Sequence, residues 1–297
     1  MAQHTAPPTT HRLEYLDALR GIASLMVVVY HFIGWRWENN PEFHWGAMLF
    51  NGSDAVSFFF VLSGLVLAFP YFQYQRTLNI KSYVIRRIAR IYPGFIVAVL
   101  LNYTYVHRHE LSTDFGSLFF TDAIPFWREI LLVKGAHQIF IPGWTLGVEM
   151  AMSLLLPLFI LTVQRQPAWL IAFPFISLMV APAHISMFSF HFCLGLALAY
   201  HYKTLQEQPL NTSLWYRYRF ILLSLVVFFF SIRHIDRLYP APSFIKKSME
   251  FINLDWFHFT GLAAFAILYA IIRSPKAQRI LSIKPLTALG RISYSLY

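Results

Sequence analysis

Leu19–Trp37 reads LRGIASLMVVVYHFIGWRW, and the ten residues between Arg20 and His31 carry no charge. A helix needs about 20 mostly apolar residues to cross hydrocarbon, and this stretch has that length and character. Seven more follow, at approximately Ala55–Tyr71, Tyr92–Val106, Thr145–Val163, Ala168–Ala183, Met187–Tyr202, Phe220–Ile232 and Phe257–Ile272. Several are short as written and extend into their flanks. No backbone polar group goes unpaired in lipid, and none of these stretches alternates as a barrel strand does, so all eight read as helices. The predicted fold is all-α: a polytopic transmembrane helical bundle.

Composition agrees. Of 297 residues, 57% are hydrophobic and 13% charged, about half the charge of a soluble domain. This excludes a disordered chain, a nucleic-acid-binding domain and most water-soluble enzymes. The net charge of +10 would suit a nucleic-acid partner, but the cations cluster in short segments between apolar stretches, as cytoplasmic membrane loops do. One cysteine, Cys193, excludes an intramolecular disulfide and a thiolate metal cluster. The histidines show no spacing that predicts a metal, so none is expected.

The Lys/Arg bias of short loops sets orientation. Arg76, Lys81, Arg86, Arg87 and Arg90 follow the second stretch with no acid among them. Lys203, Arg217 and Arg219 follow the sixth, and Arg273, Lys276, Arg279, Lys284 and Arg291 follow the eighth. All fall on one side if the N-terminus is cytoplasmic, which predicts a multi-pass cell-membrane protein in that orientation. Glu38, Glu42, Glu110, Asp114, Asp122 and Glu129 fall on the other side. One loop disagrees, because Arg233, Arg237, Lys246 and Lys247 would lie outside. No cleavable signal peptide is expected before Leu13.

Ionisable groups inside apolar stretches are costly and are candidates for function. Arg20 and His31 are eleven residues apart, close to three turns, so they share a face about 16 Å apart in height. Arg20 is either a snorkelling interface charge or an anion ligand. His31 is either a satisfied core histidine or a base. Arg87 and Arg90, three apart, can face one way and clamp a phosphate; with Arg86 they can equally be a membrane anchor. Asp54 opens the second stretch as a helix cap, or else orients His31. Ser63-Gly64 reads as close helix packing rather than a nucleophile, having no Gly-x-Ser-x-Gly elbow. Glu149, in PGWTLGVE (142–149), is either paired with an arginine or functional.

Taken together, these blocks resemble the acyltransferase-3 family of integral-membrane acyltransferases, which modify cell-surface carbohydrates and related acceptors. They run in the family's order: YLDALRG (15–21) with His31, SD (53–54) through FFVLSG (59–64), RRIARIYP (86–93), WTLGVE (144–149) and LGRISYSLY (289–297). The resemblance implies a ten-span bundle in which Arg20 and His31 are essential and His31 is the general base. It also implies that Arg87 and Arg90, with Arg86, bind an acyl-CoA donor, acetyl-CoA in the first instance. Asp54 and Glu149 join the catalytic set, and Trp144 and Asp17 are assigned to substrate binding. About eight or nine of the ten spans are expected in this chain, with residues 1–12 a cytoplasmic tail and 13–297 the transmembrane domain, stopping short at its C-terminus. The sequence departs from the family where Gly-Ser-Asp replaces Gly-Val-Asp and Val-Glu-Met replaces Val-Glu-Glu.

The expected partners are acyl-CoA, a carbohydrate or lipid-linked acceptor and the bilayer, with no nucleic acid and the oligomeric state open. No serine or cysteine with a partner base is evident, so direct transfer is expected rather than an acyl-enzyme. The rival readings are a transporter with an arginine-lined path, which lacks internal symmetry, and an inactive relative acting as a scaffold.

Overall fold

A computed structural model describes residues 13–37, 51–106, 108, 129–132, 143–179, 184–208, 218–238, 240–251 and 255–296. The described residues form eleven helices and no strand. They are α1 Glu14–Trp37, α2 Gly52–Gln73, α3 Ile80–Val106, α4 Gly143–Arg165, α5 Trp169–Met179 and α6 His184–Glu207. Then come α7 Arg219–Leu238, α8 Ser243–Phe251, α9 Trp256–Ile272, α10 Pro275–Leu281 and α11 Lys284–Leu296.

Three of these are long and apolar enough to cross a membrane among the described residues: Glu14–Phe32, Asp54–Gln73 and Gly143–Arg165. A fourth is added if α9 and α10, bent by 99° where they meet, count as one span. Each of the eight apolar stretches has a helix on it, so the all-helical architecture holds. Residues 1–12, the loop acids Glu38, Glu42, Glu110, Asp114 and Asp122, and the end of the Ala168–Ala183 stretch lie outside the described residues.

The third helix differs from the expectation. The apolar run Tyr92–Val106 is only its second half, because α3 begins at Ile80. Arg86, Arg87 and Arg90 therefore sit on a helix rather than in a connection. Nothing between Lys81 and Tyr92 breaks a helix, and arginine is a good helix former.

In lipid, helices associate through close packing, since the tails are as apolar as leucine. Two glycine contacts set the frame. A Cβ on Gly195 of α6 would stand 2.0 Å from the Val61 carbonyl oxygen of α2, and one on Gly64 would stand 2.3 Å from that of Phe192. Ser63-Gly64 thus marks a helix crossing, as its sequence predicts. Phe60 of α2 then stacks into the same seam, 4.6 Å from Phe188 and 5.7 Å from Phe192 between ring centroids.

The second contact joins the two ends of the chain. A Cβ on Gly290 of α11 would lie 2.1 Å from the Asp17 carbonyl oxygen, and one on Gly21 would lie 2.5 Å from the Gly290 nitrogen. The segment after Leu286 accordingly packs on α1, and Ser293 lines the same cavity as Arg20 and Ser24.

Candidate functional site

A cavity of about 640 Å³ opens between α1, α2, α3 and α4, with α11 at its edge. Arg20 and Ser24 of α1, Ser63 of α2, Arg87 and Arg90 of α3, Thr145 and Glu149 of α4 and Ser293 of α11 supply its polar wall. Phe59, Phe60, Leu67, Phe95 and Leu146 supply much of the apolar one. Four of the residues singled out in sequence, Arg20, Arg87, Arg90 and Glu149, therefore converge from three helices.

Arg87 is the most enclosed of them. Its Nη2 donates to Glu149 Oε1 at 2.9 Å and to Ser153 Oγ at 2.9 Å. The Arg87 side chain is 7% exposed and that of Glu149 20%. A guanidinium at such depth needs its charge matched, and the single turn Glu149–Ser153 matches it and engages Nη2, while the buried Nε is left without a hydrogen-bond partner among the described residues. Glu149 is thus paired with an arginine, one of the two roles open from sequence. Ser153 escaped the sequence reading, although the spacing of four from Glu149 puts both on one face of α4.

Arg90 is exposed toward the same cavity, whereas Arg86 is exposed, does not line it, and donates to Ser82 Oγ one turn earlier. Arg87 and Arg90 share the cavity but not a common setting. Arg20 is held in turn by Asp17, with Nη1 3.3 Å from Oδ1. Asp17 is therefore seen as the residue that steadies Arg20 within α1.

His31 lies beyond the cavity along the same helix. Spacings of eleven and seven residues put its side chain within about 20° of the directions of Arg20 and Ser24 around the axis. The ring is exposed, and its Nδ1 lies 2.8 Å from the Val27 carbonyl oxygen. A carbonyl only accepts, so Nδ1 presents a proton to it, and in the neutral ring the lone pair is then on Nε2.

Asp54 corrects an expectation. The cap of α2 is Asn51, whose side chain accepts from the Asp54 backbone N–H at 3.1 Å. Asp54 sits three residues on, fully buried, and its Oδ2 accepts from Asn51 Nδ2 at 2.5 Å. The same Nδ2 donates to the Phe230 carbonyl, tying the start of α2 to α7. An asparagine three residues before an aspartate is the signal the sequence reading passed over. This knot is near His31, because a Cβ on Gly52 would stand 2.5 Å from Tyr30 Cβ. Trp144 does not line the cavity; it packs against Phe188 at 5.6 Å, and its neighbours Thr145 and Leu146 face the cavity instead. Among the described residues, no three His, Cys, Asp or Glu side chains converge as a metal site would require.

The apolar helices have the character of a membrane protein, and charged side chains from three of them meet at one cavity. The acyltransferase-3 family, described as an acyltransferase domain, matches residues 13–297, and the chain belongs to it. It is 26% identical over 323 aligned residues to the O-acetyltransferase OatA of Staphylococcus aureus, covering 95% of this chain and 49% of that protein. It is 28% identical over 172 residues to the acyltransferase MdmB of Streptomyces mycarofaciens, covering 54% of this chain and 42% of that one. The chain spans about half the length of these curated relatives. No solved structure matches it.

Proposed function

We propose that the chain is a membrane-embedded O-acyltransferase. It moves an acyl group, acetyl first, from acyl-CoA to a hydroxyl of a carbohydrate or other cell-envelope acceptor. Family membership and the similarity to the O-acetyltransferase OatA support the reaction class. The observation that carries the mechanism is the single face of α1 that runs from Arg20 and Ser24 in the cavity to His31.

On this reading the N-terminus is cytoplasmic, the bundle holds eight or nine of the family's spans, and the donor enters from the cytoplasm. Arg90 and Arg20 meet its phosphates. Arg87 adds its charge from behind, held in place by Glu149 and Ser153. The pantetheine arm covers the roughly 16 Å rise from Arg20 to His31. His31 Nε2 takes the proton of the acceptor hydroxyl as its oxygen attacks the thioester carbonyl. The C–S bond breaks, the CoA thiolate leaves, and the imidazolium returns the proton to it. The Val27 carbonyl fixes the tautomer that this step requires, and the Asn51–Asp54 knot fixes the helix ends around it.

The test separates binding from transfer. With purified protein in liposomes, Arg90→Gln and Arg20→Gln should weaken acetyl-CoA binding. His31→Ala should bind the donor as the parent does and transfer nothing. A His31 variant that transfers at the parent rate would end the base assignment.

A further inference from the structure

The stretch from α7 to α9 carries the four cations that break the positive-inside pattern, Arg233 and Arg237 within α7 and Lys246 and Lys247 beyond it. It contains a helix of its own, α8. Its flanks are apolar, Ile221–Ile232 within α7 and Trp256–Ile272 as α9. Taken as membrane helices, they would put the turn between them, with α8 in it, at a membrane surface.

Asp236, near the end of α7, fixes the pose of α8. It accepts from the Ala241 N–H at 2.7 Å and from Trp256 Nε1 at 3.2 Å, and it pairs with Lys246 Nζ at 3.1 Å. One carboxylate therefore pins the turn, α8 and the start of α9 together. Lys246 is consequently turned toward the end of α7. At about 100° per residue, Phe244 lies across the helix from Lys246, with Lys247 between them. Phe244 is 68% exposed. Lys247 and Ser248 are exposed too, whereas Ile245 and Met249 are half-buried. The face held away from the protein thus carries a bare phenyl ring beside a lysine.

We propose that α8 is an interfacial anchor, with Phe244 seated among acyl chains and Lys247 on anionic lipid phosphates. The pairing selects this partner. A phenyl ring gains by leaving water only for an apolar layer, and a lysine beside it can reach up to phosphate while its stem stays in that layer. An acidic polysaccharide would match the lysine and leave the ring wet. On this account two of the four cations on the unexpected side are accommodated, Lys246 by Asp236 and Lys247 by lipid.

The experiment uses the full chain in vesicles. Cys193, its one cysteine, is buried, so Phe244→Cys accepts a fluorophore selectively, and Lys203→Cys, at a side chain 78% exposed, serves as the aqueous control. The label at 244 should be quenched by brominated acyl chains and shielded from iodide, and the label at 203 the reverse. In phosphatidylcholine mixed with phosphatidylglycerol, spin-labelled phosphatidylglycerol should quench the 244 label about fivefold more effectively than spin-labelled phosphatidylcholine, the effect of one lysine at an anionic surface. Lys247→Gln should remove that preference. Iodide quenching at 244 equal to that at 203, or a preference untouched by Lys247→Gln, would overturn the proposal. Shielding that appears only when an acidic polysaccharide is added would assign the face to that polymer and overturn it equally.

Discussion

Glu149→Ala tests whether the cavity's charge is organised as described. Arg87 is 7% exposed and gives one nitrogen to both Glu149 and Ser153. Removing the carboxylate leaves the guanidinium with the Ser153 hydroxyl as its remaining hydrogen-bond partner among the described residues. Breaking a buried pair in this way costs about 3–5 kcal/mol. Glu149 is 20% exposed, and the adjoining cavity admits water to the abandoned charge, which places the loss at the lower end, about 3 kcal/mol. Replacing both partners by apolar residues, Arg87→Met with Glu149→Leu, leaves no stranded charge and should restore most of that stability. The measurement is a double-mutant cycle on denaturant unfolding in detergent, with acyl transfer followed in parallel. The expected result is a double variant more stable than either single one yet inactive, because the charge beneath the donor is gone. Additive losses, or a Glu149→Ala loss below about 1 kcal/mol as at an exposed pair, would refute the reasoning.

Ser153→Ala removes a hydrogen bond to a charged group and should lower stability by about 1.5–3 kcal/mol, measured by the same unfolding assay. Gly290→Ala drives a methyl group into the Asp17 carbonyl, so it should destabilise the α1–α11 contact by about 1–3 kcal/mol and lower thermal stability in detergent. Gly94 lines the cavity, and a Cβ there meets nothing within 4 Å. Gly94→Phe should therefore fill donor space, raising the KM for acyl-CoA without loss of thermal stability. Burial alone would raise the Asp236 carboxyl, but the bonds from Ala241, Lys246 and Trp256 and the Lys246 charge outweigh it and hold it below the usual carboxylate range. A depressed folded-state value means stability that is present above the ordinary carboxylate range and lost as pH falls through the lowered value. Protease nicking of the α7–α9 connection should accordingly rise in acid, and Asp236→Asn should show the acid rate already at neutral pH.

The helices were legible because lipid imposes a length and an apolar content that eight stretches display openly. The pairing of those helices was only partly so. Ser63-Gly64 announced a close crossing, since a small residue in mid-helix has little other use there, but its partner Gly195 carries no mark that distinguishes it. Arg20, Arg87, Arg90 and Glu149 stood out because a charge in an apolar setting requires a reason. Ser153 and Asn51 did not, because a polar neutral residue in a helix has many cheap alternatives and becomes informative only beside its partner. Asp54 was misassigned as the cap for a related reason: either residue can cap, and only the backbone angles show that Asn51 precedes the first turn. Trp144 was assigned to substrate binding from its place in a motif; it packs against Phe188, and its neighbours Thr145 and Leu146 line the cavity.

The central claim is that His31 drives transfer from a donor held below it. Membranes carrying the chain, and His31→Ala matched for membrane level, are supplied with radiolabelled acetyl-CoA, and label is counted in the saccharide and lipid fractions. The account predicts label in the parent membranes and none in the variant. Equal labelling in both would contradict it.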